Sequence, residues 1–230
     1  MHEITLQGRG PNTMSLAMLE ELEGAIDAAG DAPLLVTGAG DAFSAGLDLD
    51  ALGAAEPNDV VQLLRAMDRV VKKLFFHPGP TAALVNGHAV AGGCLLVQCC
   101  DVRIGVNDPE IRIGMTGVAI GLVYPPFVTA IFRTRIAPPH LETVLLGAQR
   151  FDPARALALG VLDEALDRRA ARPTAEVHLA QRGRLPRHAY AATKRALREP
   201  AFAAAAADHE RFENEILPAW TSALIRRPKK

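Results

Sequence analysis

Short, wholly apolar runs alternate along this chain with longer stretches in which apolar residues return every three or four positions. Residues 33–37 and 81–85 are runs of the first kind. Both read as strands of a sheet covered on its two faces. Residues 4–6 and 101–106 read as two further strands. Met18, Leu19, Leu22 and Ile26 stand at helical spacing behind Ser15, a residue suited to cap a helix, and Gly30-Asp31 ends that helix. Val60, Leu63, Leu64, Met67, Val70, Val71 and Leu74 mark one face of a helix over 60–75. Asp59 is its expected cap, a connector over 51–58 precedes it, and His77-Pro78-Gly79-Pro80 stops it. Further helices are expected over 124–133, 139–146, 153–159, 174–181 and 187–197. The alanine-rich stretch 200–216 reads as another, with Pro200 in its first turn and Pro218 as its stop.

Two glycine-rich loops interrupt this pattern. After the strand at 81–85 come the turn signal Asn86-Gly87, the small residues Ala91-Gly92-Gly93, and an apolar segment to Cys100. That order reads as strand, tight loop and the start of a buried helix. The first turn of a helix carries N–H groups without intrahelical partners, at the positive end of the dipole. Glycine there removes the side chain that would keep a ligand away. The stretch can offer amides to an electron-rich group, or can simply serve close helix–strand packing. The other loop, Gly38 to Leu49, follows a strand at its carboxyl end, where open α/β sheets place ligands. It lacks the Lys-Ser/Thr of a phosphate-binding loop. It offers amides near Ala45 and Gly46. Asp48 either serves the ligand or, by the usual preference of Asp, caps the next turn.

Composition narrows the classes. With 230 residues, 49% of them hydrophobic, the chain can bury a large core. A net charge of −1 and the absence of a basic stripe argue against nucleic acid, and Arg226-Arg227-Pro228-Lys229-Lys230 reads as a solvated tail. No apolar run is long enough for a membrane span and no signal peptide stands at Met1, so the expected location is the cytoplasm. The three cysteines, Cys94, Cys99 and Cys100, do not converge as metal ligands and read as buried small apolar residues.

The segments Ala42-Phe43-Ser44-Ala45-Gly46-Leu47-Asp48-Leu49 and Asn86-Gly87-His88-Ala89-Val90-Ala91-Gly92-Gly93, the latter with Cys100-Asp101-Val102-Arg103-Ile104, resemble the two signature segments of the crotonase (enoyl-CoA hydratase/isomerase) superfamily. Pro109-Glu110 with Ile113-Gly114 resembles its third segment. Leu145-Leu146-Gly147 through Ala156 to Leu159-Gly160-Val161-Leu162-Asp163 resembles its fourth. The likeness covers most of the chain, from about Pro11 to Asp163. It implies an α/β fold with a ββα-spiral core over 1–165 and a C-terminal helical region over 166–230 that mediates trimerisation, giving a homotrimer or a dimer of trimers. It implies an acyl-CoA thioester as substrate, with no metal and no separate cofactor. In the family two amides, one from each loop, hold the thioester oxygen, and the matching positions here are Ala45 and Ala91. Phe43, Ser44, Gly46, Leu47, Asp48, Gly87, His88, Gly92, Leu95 and Tyr124 are the implied surroundings of the CoA and acyl groups. Enolising a thioester places negative charge on its oxygen, and losing one preorganised donor costs roughly 3–4 kcal/mol.

Proton transfer needs a base near the acyl chain. Hydratases of the family use two glutamates; this chain has Leu95 at the first position and Glu110 at the second. One glutamate suffices to move a proton between carbons, as in the family's Δ3,Δ2-enoyl-CoA isomerases, so Glu110 is the expected base and isomerisation the expected reaction. An apolar pocket would raise its pKa usefully. Its competing reading is a surface turn residue paired with Arg112 or Arg103. Glu142 is a reserve carboxylate, or simply an acid favoured near a helix start. His88 reads as a backbone-packed histidine, and Tyr124 as tunnel lining or core. Phe212 and Trp220 are placed against a neighbouring subunit. The alternatives are a hydratase with different acid/base residues, a thioester hydrolase or decarboxylase, and a non-catalytic acyl-CoA binder. The position of Glu110 separates them: within reach of the acyl carbon it favours an enzyme, and in solvent beside an apolar site it favours a binder.

Overall fold

Five parallel strands form the main sheet, in the order β1 (His2–Leu6), β3 (Leu34–Gly38), β6 (Thr81–Val85), β8 (Val102–Val106) and β10 (Glu164–Leu166). The protein is described here by a computed structural model of residues 1–225, and the basic stretch at 226–230 lies outside the described residues. Every residue of β3, β6 and β8 is buried, as their unbroken apolar character requires. Each of these three strands is followed by a short one: β4 (Ala42–Ser44), β7 (His88–Val90) and β9 (Ile113–Gly114). The short strands pair in parallel as a second sheet, with β7 in the middle. A two-residue ladder, β2 (Thr13–Met14) against β5 (Gly46–Leu47), closes the same corner. The unit of strand, short strand and helix thus recurs along the core, the α/β arrangement expected from the sequence.

Besides shorter helical turns, the helices are α1 (Leu16–Ala29), α2 (Pro57–Phe75), α3 (Gly92–Cys99), α4 (Pro126–Arg135), α5 (Pro138–Leu145), α6 (Pro153–Ala158), α7 (Arg168–Gly183), α8 (Arg187–Ala207) and α9 (Leu217–Ile225). Ser15 caps α1 as expected, accepting the Met18 N–H at 3.2 Å. Asp59 does not cap α2: the helix begins at Pro57, whose fixed φ suits a first position, and Asp59 falls in its first turn. The three cysteines are buried and free. Among the described residues no helix is long and apolar enough to cross a membrane.

The C-terminal region departs most from expectation. One helix, α8, runs through Pro200, which therefore starts nothing. Pro218 sits in the first turn of α9 instead of stopping a helix. Asp167 caps α7 well upstream of residue 174, accepting the N–H groups of Arg169 and Ala170 at 2.9 and 3.0 Å. Phe212 and Trp220 are buried against their own chain, and Trp220 Nε1 donates to Val123 O at 2.6 Å. A neighbouring subunit is not needed to cover them.

One buried carboxylate holds α8 in place. Asp101, at the foot of β8, meets Lys194 Nζ at 2.6 Å, Arg198 NH2 at 2.7 Å and the Tyr190 hydroxyl at 2.7 Å, and accepts the Thr81 N–H at 2.9 Å. Lys194 also donates to the carbonyls of His77 and Gly79 at 2.8 and 2.6 Å, and the Arg198 guanidinium lies 4.3 Å from the Phe75 ring centroid. Burial alone would raise the Asp101 pKa, but Lys194 and Arg198 outweigh it and hold the carboxyl below its ordinary value. Lys194 is itself pushed down to about 8, chiefly by burial, so both members of the pair are charged at pH 7. Such a group stabilises the fold fully above its unfolded pKa, about 3.9, and that contribution disappears as pH falls through the lower folded value. Asp101→Asn is expected to cost about 3–5 kcal/mol, because it leaves two buried cations without their counter-charge. Urea unfolding at pH 7 measures the loss as a lowered midpoint, and repeating it between pH 5 and 2 should show a shallower acid limb in the variant.

Candidate active site

The two glycine-rich loops are fastened together by side chains that bond to backbone. Asn86 accepts the Gly38 N–H at 3.0 Å and donates to the carbonyls of Gly38 and Gly40 at 3.0 and 2.8 Å. Asn12 donates to Ala39 O and Ala42 O at 2.9 and 2.8 Å. Ser44 Oγ donates to Asn12 O at 2.7 Å and accepts the Gly46 N–H at 3.2 Å. Strand β4 pairs with β7, setting Ala42 beside His88 and Ser44 beside Ala89. The loops then approach so closely that side chains are excluded. A Cβ on Gly93 would stand 2.1 Å from Ser44 O, and one on Gly46 would stand 2.8 Å from the Gly92 nitrogen. Gly46 also has φ near +83°, a conformation that suits glycine.

Which amides remain available follows from this packing. The N–H of Ala45 donates to Pro11 O at 3.0 Å and that of Ala91 to Gly114 O at 2.8 Å. Neither expected donor is free, and both assignments are corrected. The Asp48 N–H donates back to Met14 O at 3.3 Å. Successive strand amides point to opposite sides, so the Leu47 amide is turned away from β2. Gly92 is the first residue of α3, and its N–H has no acceptor within the helix. The available pair is thus Leu47 and Gly92, two residues beyond Ala45 and one beyond Ala91, with Gly46 packed against the Gly92 nitrogen.

This pair borders a cavity of about 170 Å³. Ala45, Leu47 and Ala91 line it from the loops, Gly92 and Leu95 from α3, Met67 from α2, and Phe212 and Trp220 from the C-terminal part. Among the described residues its polar side chains are those of Thr116, Tyr124, Arg150 and Trp220, with no Asp, Glu, His or Cys in the lining. The Trp220 indole N–H is committed to Val123 O. The Tyr124 oxygen accepts the Gly117 N–H at 3.0 Å, which leaves its own proton for a ligand. Burial pushes the Tyr124 pKa up, so the phenol is a donor at neutral pH.

Most of the other expected site residues lie elsewhere. Glu110 is exposed in a turn, its N–H on Asp108 Oδ1 at 3.0 Å, and it does not line the cavity. The short link 107–112 explains this, because Ile111 is the residue it buries. Glu110 pairs with neither arginine: Arg103 binds Asp163, and Arg112 donates to the carbonyls of Pro109 and Ile111. Glu142 is exposed on α5 and is likewise no part of the site. His88 is exposed, accepting the Arg112 N–H at 3.0 Å. Phe43 is core, and Ser44 is a loop fastener. Gly87 is a packing position, where a Cβ would stand 1.9 Å from Asp41 O. Asp48 caps the short helix Leu49–Gly53 through the Ala51 N–H at 3.0 Å and also binds Arg9. Thr116 and Arg150 line the cavity without any signal in the sequence that marked them.

Ala91 carries a strain that glycine would not. Its φ of 51° and ψ of −115° lie where L-residues are rare, at a cost of about 1–3 kcal/mol. Ala91→Gly is expected to raise the unfolding free energy by about 1 kcal/mol, the relief of strain being partly offset by the freer unfolded chain. Urea denaturation measures this.

The comparisons with known proteins agree with the geometry. The family model described as "Enoyl-CoA hydratase/isomerase" matches residues 1–223. Mouse mitochondrial enoyl-CoA delta isomerase 1 is 29% identical over 68% of this chain and 54% of that protein. A putative enoyl-CoA hydratase of Thermus thermophilus is 36% identical over 65% of this chain and 59% of that protein. The chain thus spans a little over half the length of these curated relatives. Among solved structures, a probable enoyl-CoA hydratase of Mycobacterium tuberculosis superposes with a TM-score of 0.82 at 30% identity, covering 89% of this chain and 87% of that one. Human mitochondrial delta3-delta2-enoyl-CoA isomerase superposes with a TM-score of 0.88 at 24% identity, covering 97% and 87%, a likeness of fold. With the whole described core inside the matched range, the chain belongs to the enoyl-CoA hydratase/isomerase family of crotonase-fold enzymes.

Proposed function

We propose that the cavity binds an acyl-CoA thioester with its carbonyl oxygen between the amides of Leu47 and Gly92, and that it catalyses a reaction which forms the thioester enolate without a carboxylate base. The observation that carries this reading is the cavity lining itself: two available amides, a protonated Tyr124, and no Asp, Glu or His among the described residues. Loss of CO2 from a β-carboxy acyl thioester fits that inventory. The electrons of the breaking carbon–carbon bond move into the thioester, the oxygen gains charge between the two amides, and no proton need be abstracted. The enolate then takes a proton at its α-carbon from the Tyr124 hydroxyl, which water restores. Arg150, at the exposed edge of the cavity, supplies a cation for the departing carboxylate.

Isomerisation of a 3-enoyl-CoA is the second reading, favoured by the likeness to the delta isomerases. It needs a proton acceptor, and Glu110 stands in solvent.

The test offers malonyl-CoA, methylmalonyl-CoA and a 3-enoyl-CoA to the wild type, Tyr124→Phe and Glu110→Gln, with binding followed by calorimetry. The expected result is CO2 release that is unchanged in Glu110→Gln and lowered about 10²–10⁴-fold in Tyr124→Phe, with binding retained in both. Isomerase turnover that is lost in Glu110→Gln would reject the base-free mechanism and restore Glu110. Binding without turnover of any of the three would make the chain an acyl-CoA binder.

A further inference from the structure

A second cleft, sharing no lining residue with the first, opens between the end of α4, the end of α7 and the start of α8. Its volume is about 870 Å³. Among the described residues five cationic side chains line it, Arg133, Arg135, Arg182, Lys194 and Arg198, against one carboxylate, Asp101. That carboxylate is already engaged by Lys194 and Arg198. Among the described residues Arg135 has no anionic partner within ion-pair distance. Its Nε donates to Gln98 O at 3.0 Å, and its NH2 nitrogen is buried without any hydrogen-bond partner. Burial and the nearby Arg198 and Arg103 push its pKa down to about 10, so it is still charged at neutral pH.

Helix ends explain part of this cluster. Arg133 and Arg135 stand in the last turn of α4 and Arg182 in that of α7, where cations offset the carbonyl end of the dipole. That account leaves the buried, unpaired NH2 nitrogen of Arg135 unexplained, because a solvent-facing arginine would serve a dipole equally well. The cleft also meets the opposite pole of a third helix. Pro186, Ala189 and Tyr190 place the amino end of the 21-residue α8 on its wall. The free first-turn amides there favour an anion.

We propose that this cleft is a binding site for a phosphate-class oxyanion, held by Arg135 and Arg133 and by the first turn of α8. A guanidinium fork matches two phosphate oxygens at once, and a doubly charged anion answers an excess of cations that a single carboxylate cannot. Inorganic phosphate and the phosphate group of a small phosphomonoester share this chemistry.

The test is the thermal midpoint of the whole chain in inorganic phosphate, in glycerol 3-phosphate and in sodium chloride of equal ionic strength, with affinities from calorimetry. Wild type is expected to gain about 3–6 °C at ten times Kd in at least one phosphate compound and nothing in chloride. The tighter of the two compounds identifies the source. Arg135→Met is expected to keep its midpoint in chloride, since an unpaired buried cation is removed, and to lose at least tenfold in phosphate affinity. Thr193→Glu places a carboxylate on the cleft wall from an exposed position of α8, and is expected to abolish the phosphate response while folding normally. Equal midpoints of the wild type in phosphate and chloride would overturn the proposal. So would a phosphate affinity unchanged in both Arg135→Met and Thr193→Glu. A cleft filled in solution by an acidic side chain of a second copy would give the first of these results.

Discussion

The contact on which the site depends is between two backbones, not two side chains. Gly46 faces the nitrogen of Gly92, and Gly93 faces the carbonyl of Ser44, at separations that leave no room for a methyl group. Asn12, Ser44 and Asn86 hold those backbones in register by bonding to carbonyls and amides that a loop would otherwise leave to water. Because these clamps are made inside the protein, the amides that face the cavity are fixed before any ligand arrives. Fixed donors need no reorganisation as charge develops, which is why such an arrangement can stabilise an oxyanion more strongly than water does.

The surroundings of those donors decide what they can be used for. The cavity is apolar and small, and its one ionisable acid of neutral charge is a phenol whose pKa is raised by burial. The carboxylates that a hydration or proton-shuttle mechanism would draw on are either replaced, as by Leu95, or turned outward, as at Glu110. Family membership therefore fixes the fold and leaves the chemistry to these few positions.

Much of the fold was legible in the sequence because it rests on local rules. An unbroken apolar run with turn residues at its ends became β6, Ser15 before a periodic stretch became a cap, and the Gly92-Gly93 pair became the start of a buried helix. The misplacements share a different cause: tertiary structure decided them. Ala45 and Ala91 lost their roles to Leu47 and Gly92 because Pro11, just ahead of β2, and Gly114 in β9 took up their amides, a fact of tertiary pairing that periodicity cannot reveal. Glu110 was displaced by a link short enough to bury only Ile111. Pro200 reads locally as a helix start, yet α8 passes through it, because Lys194 and Arg198 tie the helix to Asp101 just before it.

The part played by Phe212 and Trp220 has a consequence for the order in which the protein becomes competent. Four of the five strands of the main sheet, both loops and the two donor amides come from the first half of the chain, yet one wall of the cavity comes from residues past 210. On the ribosome the donors can therefore be in place while the chamber is still open to water, and it becomes a closed apolar space only after the last helices have emerged and folded back. A bound acyl group touching both halves would hold that late segment down, so occupancy of the site and docking of the C-terminal part are linked equilibria, each favouring the other.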